Sequence, residues 1–401
     1  MKLIRKKQRE RDVLRTLLER KGHAPHKNAT NRTTPVDNSS HWKELNTWIN
    51  KEKNNGLQIA PCKKSNKKKR KNFFEVTLPS HMDFYHNYDS TVQTLTAIRK
   101  LSDSFEKYNG KKIPSKAFKI GTVCFDNLVH ISTSAALVLT AEMSKWDTSI
   151  RNQLRPQVEG WSDDIYCQFE QLGFFDLFDN KPQKNISPQS PKPNFEFVRY
   201  VKGCCGDVVD TKEKRARLKN EVKNLVGSSV PKWMILHSGI SEAVTNVTHH
   251  AYPDRIEGKD KSWYLTGSFD RTKKILKIAF YDQGIGIPNS LPESSIWEKV
   301  IAYFSSKNLQ AAERKHDEML IKAAVSIDRT STNQNDRGKG LQDLIEFIRQ
   351  LGSGYLSIMS YKGLFKCTIN SGKEKIKSES FDRPLLGTLI IWSVELEEAE
   401  E

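Results

Sequence analysis

Short apolar runs with a period of two alternate along this chain with stretches whose apolar residues recur three and four apart, so strands and helices interleave from about Phe73 onward. FFEVTLP reads as a strand and TVQTLTAIRKLSDSF as an amphipathic helix. FKIGTVCFDNLVHI is one strand or two, and STSAALVLTAEMSKW has helical spacing. With the helical piece SDDIYCQFEQLGFFDLF, these predict a small α/β domain over 73–180. The prolines and polar residues of 181–194 mark a linker. A second domain, 195–401, opens with the strand FEFVRYV, a helix near 211–226 and the helix PKWMILHSGISEAVTNVTHHAY. The strands SWYLTGSFD and KILKIAFYD follow, then a polar and helical insertion at about 289–336 and a helix over 338–351. Three strand-like runs, GYLSIMSY, GLFKCTIN and LLGTLIIWSVEL, close the chain. The expected class is α+β, with a C-terminal two-layer α/β sandwich in which one mixed sheet is covered on one face.

Upstream of Phe73 the pattern breaks down. Residues 22–40 are polar and interrupted by Pro and Gly, and only HWKELNTWI has an amphipathic look, so 1–72 is expected to be a basic, largely flexible segment. It holds 21 Lys or Arg against 6 Asp or Glu, most of the net charge of +17. Its densest part, 63–71 within KKSNKKKRKN, has no interleaved aromatic residues; it would neutralise phosphates of a nucleic acid without reading bases, or serve as a solvated linker. No apolar run approaches the roughly 20 residues of a membrane helix, and the start lacks an apolar signal core, which predicts a soluble, cytoplasmic protein. Six cysteines are scattered in a spacing that fits neither a metal knuckle nor a secreted disulfide framework.

The helix in the second domain poses a question: Glu242, Asn246 and His250 recur every four residues and form one polar stripe on an apolar helix. Either that stripe faces solvent or something polar lies over it. Two further stretches bear on the choice. In DQGIGIP, Asp282 ends an apolar strand and is followed by two alternate glycines, which let backbone approach a planar ligand while the carboxylate accepts a hydrogen bond from an amine. In DRGKGLQDLIEFI, Arg337, Gly338, Lys339 and Gly340 precede an amphipathic helix, where exposed N–H groups and two cations can cradle phosphate. Gly387 and Thr388 open the last buried strand.

In this order, EAVTNVTHHAY, DQGIGIP, RGKGL and the closing GT resemble the N box, the two glycine boxes and the final strand motif of the GHKL (Bergerat-fold) ATP-binding domains of gyrase, the heat-shock-90 chaperone, histidine kinases and MutL. The form of the boxes looks most like the anti-sigma-factor serine kinases and the histidine-kinase catalytic domain. The resemblance implies that ATP and Mg²⁺ bind at 195–401. Asn246 would ligand the Mg²⁺, and Glu242 would position or deprotonate the attacking water or hydroxyl. Asp282 would hold the adenine amine in a pocket shaped by Gly284, Gly286 and Ile287. Arg337, Gly338, Lys339, Gly340 and Leu341 would bind the phosphates, and Thr388 would reach the adenine side. The stretch 289–336 would be a lid. His250 is expected to be a packed helix-end histidine. Lys339 departs from the small or apolar residue usual inside the second glycine box, and neither a transducer domain nor a phosphoacceptor helix pair is found.

The stretch FDNLVHISTSAALVLTAEMSKW resembles, more weakly, the strand–turn–helix of STAS domains, partners of the anti-sigma kinases, and implies a STAS-like domain at 73–180. Thr133 and Ser134 fall where such partners are phosphorylated; an N-capped helix start would place hydroxyls there equally well. Three functions follow. The first is an ATPase or serine/threonine protein kinase regulated by its own STAS-like domain or by another regulatory protein. The second is an ATP-gated protein-binding switch with little turnover. The third is a nucleic-acid-associated ATPase docked by its basic segment. The oligomeric state is left open, a dimer included.

Overall fold

A computed structural model describes residues 7–8, 10–16, 38–62, 73–107, 118–186, 195–205, 208–228, 230–253, 261–294, 296–307, 313, 316–327 and 342–396. The chain is mixed helix and strand and forms two compact units, one spanning Thr33–Tyr200 and the other Val201–Glu401 together with Met1–Arg32. Among the described residues no helix is long and apolar enough to cross a membrane.

The first unit begins earlier than its sequence pattern suggests. Helix α1 (Asn38–Asn54) and strand β1 (Ile59–Pro61) lie inside the segment expected to be flexible. Trp42, Leu45 and Ile49, three and four apart, are buried on one face of α1, and Gln93 Nε2 donates to the buried Glu52 Oε2 at 2.7 Å. Strand β2 (Phe73–Thr77) pairs antiparallel with β1 and parallel with β4 (Lys119–Cys124). Strand β3 (His81–Met82) pairs parallel with β5 (His130–Ile131), so the stretch read as one strand or two is two. Helix α2 (Tyr88–Lys107) packs on β2 and β4, and α3 (Thr133–Ser144) is buried along its whole length. Ser132 caps α3, its Oγ accepting from Ala135 N at 3.3 Å. Thr133 and Ser134 are only 2% and 5% exposed, so their hydroxyls belong to the packed start of the helix and not to an accessible phosphoacceptor position. Helices α4 (Thr148–Gln153) and α5 (Asp163–Leu172) and strand β6 (Phe195–Phe197) complete the unit; α5 stops at Gly173, whose φ of +82° suits its left-handed cap.

In the second unit β7 (Val201–Cys204) is followed by α6 (Val208–Val226) and α7 (Trp233–Asn246), which runs on into a π-helical turn, Val247–Ala251. Strands β8 (Ser262–Asp270) and β9 (Ile275–Asp282) form a hairpin whose turn is held by Asp270 Oδ1, accepting from Thr272 N and Lys273 N at 3.0 Å each. After α8 (Ile287–Ser290), α9 (Trp297–Ser306), α10 (Asp317–Ile327) and α11 (Gln342–Leu351), the chain ends in the hairpin of β10 (Gly354–Asn370) and β11 (Lys373–Glu395). The antiparallel order is β10–β11–β9–β8, with β7 also on β8.

Two expectations change here. The first two strand-like runs of the C-terminus are one strand, β10, with a register shift at Ser360 to Gly363 where Tyr361 adopts φ +54°. Beyond that irregularity the hairpin turns back, so that Gly372 N donates to Gly352 O at the end of α11. Part of the stretch expected to be a lid is core: Leu320, Ile321, Ala324 and Val325 of α10 are buried, and the helix packs on β10 and β11. Helix α11 buries Leu344, Ile345, Phe347 and Ile348 against α7 and β10, and Trp392 Nε1 donates to Leu344 O at 2.8 Å.

Candidate functional site

The strand register builds one row across the sheet: Trp263 of β8 lies opposite Asp282 of β9, Asp282 opposite Thr388 of β11, and Thr388 opposite Ser360 of β10. Because side chains alternate along a strand, Phe280 shares a face with Asp282 and Ile390 with Thr388. These four form the floor of a cavity of about 220 Å³. One wall is the face of α7 and the π-helical turn after it, carrying Glu242, Asn246 and His250, continued by Ala243, Val247 and Ala251 one position on. Glu242 and Asn246 of that stripe are therefore half-buried over a cleft, while His250 lines its edge and stays largely exposed. Ile287, Leu291 and Ile296 form an apolar rim, and Ala324 of α10 contributes from the other side.

Asp282 is 2% exposed and Thr388 7%, so both present polar atoms from an otherwise apolar floor. Asp282 Oδ1 accepts from Gly284 N at 2.8 Å, which fixes the carboxylate at the strand end. Gly284 itself does not line the cleft. It lies behind it, where a Cβ would come within 2.4 Å of Ala251 O, and the next amide, Ile285 N, donates to that same carbonyl at 2.9 Å. Ala251 ends the π-helical turn, so its carbonyl has no later helical turn to bond and is available to the loop. Tyr252 completes the join: its buried hydroxyl donates to Ser262 O at 2.8 Å and accepts from Gln283 N at 3.1 Å. Burial, then the Asp282 carboxylate, push the Tyr252 phenol far up, so it stays protonated.

Asn246 Nδ2 donates to Glu242 Oε1 at 3.1 Å. The amide nitrogen is thereby turned to the carboxylate, and the amide oxygen is the atom left to meet a hard cation. His250, expected to be a packed helix-end histidine, lines the cleft instead; the π-helical turn sets its position on the wall. Burial first, then neighbouring His249, hold its pKa below the ordinary histidine value, which favours the neutral ring.

The cleft therefore brings together Glu242, Asn246, Asp282, Gly286, Ile287 and Thr388 from the residues singled out in the sequence. Arg337, Gly338, Lys339, Gly340 and Leu341 lie outside the described residues, just ahead of α11. Two residues carry structural weight that no motif announced. Tyr252 ends the EAVTNVTHHAY stretch and could have been suspected from its place there. Ser360 sits in an ordinary-looking strand, and only pairing across the sheet reveals it.

No protein-family model and no curated protein matches this chain. Among solved structures, the topoisomerase IV ATP-binding domain of Francisella tularensis in complex with a small-molecule inhibitor aligns with 48% of this chain and 73% of its own length, at 11% identity and a TM-score of 0.17. Similarity at that level defines neither the fold nor the site.

Proposed function

We propose that the second unit is a GHKL-type domain that binds ATP with Mg²⁺ in this cleft. The observation that carries the reading is the buried Asp282 carboxylate beside the Thr388 hydroxyl, on an apolar floor facing the Glu242 and Asn246 wall. A flat heteroaromatic ring with an exocyclic amine suits that floor: its faces meet apolar groups, including Ile390, and its amine finds a carboxylate that accepts hydrogen bonds. The amide oxygen of Asn246 fits Mg²⁺, which commonly takes one or two protein oxygens and draws the rest from phosphates and water. Bound there, the ion would neutralise phosphate charge. Glu242, kept in place by Asn246 Nδ2, would take the proton of an attacking water or hydroxyl. The phosphates would extend toward the start of α11, a helix N-terminus preceded by Arg337 to Leu341, which are assigned from sequence alone.

Regulation by a partner protein, or by the unit Thr33–Tyr200 acting as a STAS-like partner, would work through a surface other than Thr133 and Ser134, whose hydroxyls are buried. The test is equilibrium titration of the full chain with ATP, with and without Mg²⁺, followed by incubation with ATP labelled in its γ-phosphate. Saturable binding strengthened by Mg²⁺ is expected; no binding under either condition refutes the reading. Label released as phosphate identifies an ATPase, label on protein a kinase, and label retained in ATP a switch.

A further inference from the structure

Ser360 is completely buried and bonded in three directions: its Oγ accepts from Ile287 N at 2.9 Å, donates to Gly387 O at 3.0 Å, and lies 3.1 Å from Thr388 Oγ1. A serine hydroxyl has one proton to give and two lone pairs to fill. With the proton on Gly387 O and one lone pair taken by Ile287 N–H, the remaining lone pair is aimed at Thr388. The Thr388 hydroxyl proton then points at Ser360, and the Thr388 oxygen turns its lone pairs to the cleft.

From this we infer that Ser360 is a specificity-determining residue of the cleft, acting by making Thr388 a hydrogen-bond acceptor. The inference rests on the cleft being an ATP site. Thr388 and Asp282 are paired neighbours across β11 and β9, so the floor offers two adjacent acceptors and no hydroxyl donor. A ring amine, with two hydrogens, matches that pair. A ring carbonyl in the same place meets two acceptors and is rejected, because neither it nor the buried groups opposite find a partner. The cleft should therefore distinguish nucleotides by amine against carbonyl, and Ser360 should set part of that distinction without touching the ligand. Replacing Ser360 by alanine frees the Thr388 proton to swing into the cleft, where it can serve a carbonyl.

The experiment measures the dissociation constants of ATP and of inosine triphosphate, which carries a carbonyl where ATP has the amine, for the full chain and three variants. The parent should prefer ATP by about 100-fold or more. Ser360→Ala should narrow that ratio about tenfold, chiefly by improving the inosine nucleotide. Thr388→Val, which keeps the volume and removes the hydroxyl, should narrow it too, and the double variant should match Thr388→Val alone because Ser360 acts through Thr388. A merely structural serine would weaken both nucleotides equally and leave the ratio intact, and that outcome overturns the inference. Additive effects in the double variant overturn it as well, as does a parent that binds both nucleotides equally. If Ser360→Ala does not fold, an unchanged ratio in Thr388→Val is sufficient to reject it. A parent that binds neither nucleotide rejects the ATP reading itself, a result distinct from all of these.

Discussion

Replacing Tyr252 by phenylalanine removes one oxygen atom from the join between α7 and the DQGIGIP loop, and the structure sets the expected cost. The hydroxyl satisfies Ser262 O at 2.8 Å and Gln283 N at 3.1 Å, and Ser262 and Gln283 are themselves buried. Water has no easy route to either group, so the variant leaves a carbonyl and an amide without this partner. Each such loss costs about 1–3 kcal/mol, and the amide, with a single hydrogen to place, falls at the upper end. A total of about 2–4 kcal/mol is expected, with only the volume of that one oxygen lost. Urea denaturation followed by circular dichroism reads this as a lower midpoint at constant slope. Because Gln283 follows Asp282 directly, ATP affinity should drop as well. A Tyr252→Phe protein within about 0.5 kcal/mol of the parent would refute the account of how the loop is anchored.

Glu242→Gln should lower hydrolysis or transfer by roughly two to four orders of magnitude, with ATP affinity within a few-fold of the parent, as single-turnover and binding measurements would report. Gly387→Ala should be severe: its φ of +76° strains any other residue and its Cβ would come within 1.9 Å of Asp282 O, whereas Gly227→Ala, with φ +84° and open space around it, should show only the strain of about 1–2 kcal/mol in the same denaturation assay. His250 and His237 are both held below the ordinary histidine pKa by burial first, so the unfolded chain takes up protons before the folded one does. The stability these neutral rings provide is present above about pH 6.5 and is lost as pH falls through their depressed folded values; because His237 is the more buried ring, His237→Gln should flatten that decline below about pH 6.5 in denaturation midpoints.

The strands of the second unit were legible because their apolar runs are dense and bounded, and the α7 stripe was legible because i, i+4 spacing survives into the fold. The burial of α10 within the expected lid is not legible in its polar stretch, because it depends on β10 and β11 being there to receive it. Helix α1 was underestimated for a similar reason: Trp42, Leu45 and Ile49 are sparse apolar positions in a basic segment, and tertiary contact gives them their worth. Ser360 could not be read at all. Its role comes from register across β10 and β11, together with a bulge at Tyr361, and neither leaves a local pattern. His250 lies in the π-helical turn and still falls on the wall that its i, i+4 spacing indicates, whereas its place at the helix end alone suggests packing.

The proposed recognition of a bound adenine's amine by Asp282 is tested most directly by Asp282→Asn. Asparagine keeps the shape and can still accept from Gly284 N through its oxygen, but it loses the charge and turns an N–H donor to the ligand. Calorimetric titration with ATP and Mg²⁺ should show one saturable site in the parent and none over the same concentration range in Asp282→Asn, with the two proteins melting within a few degrees of each other. An Asp282→Asn protein that binds ATP as tightly as the parent would contradict the account.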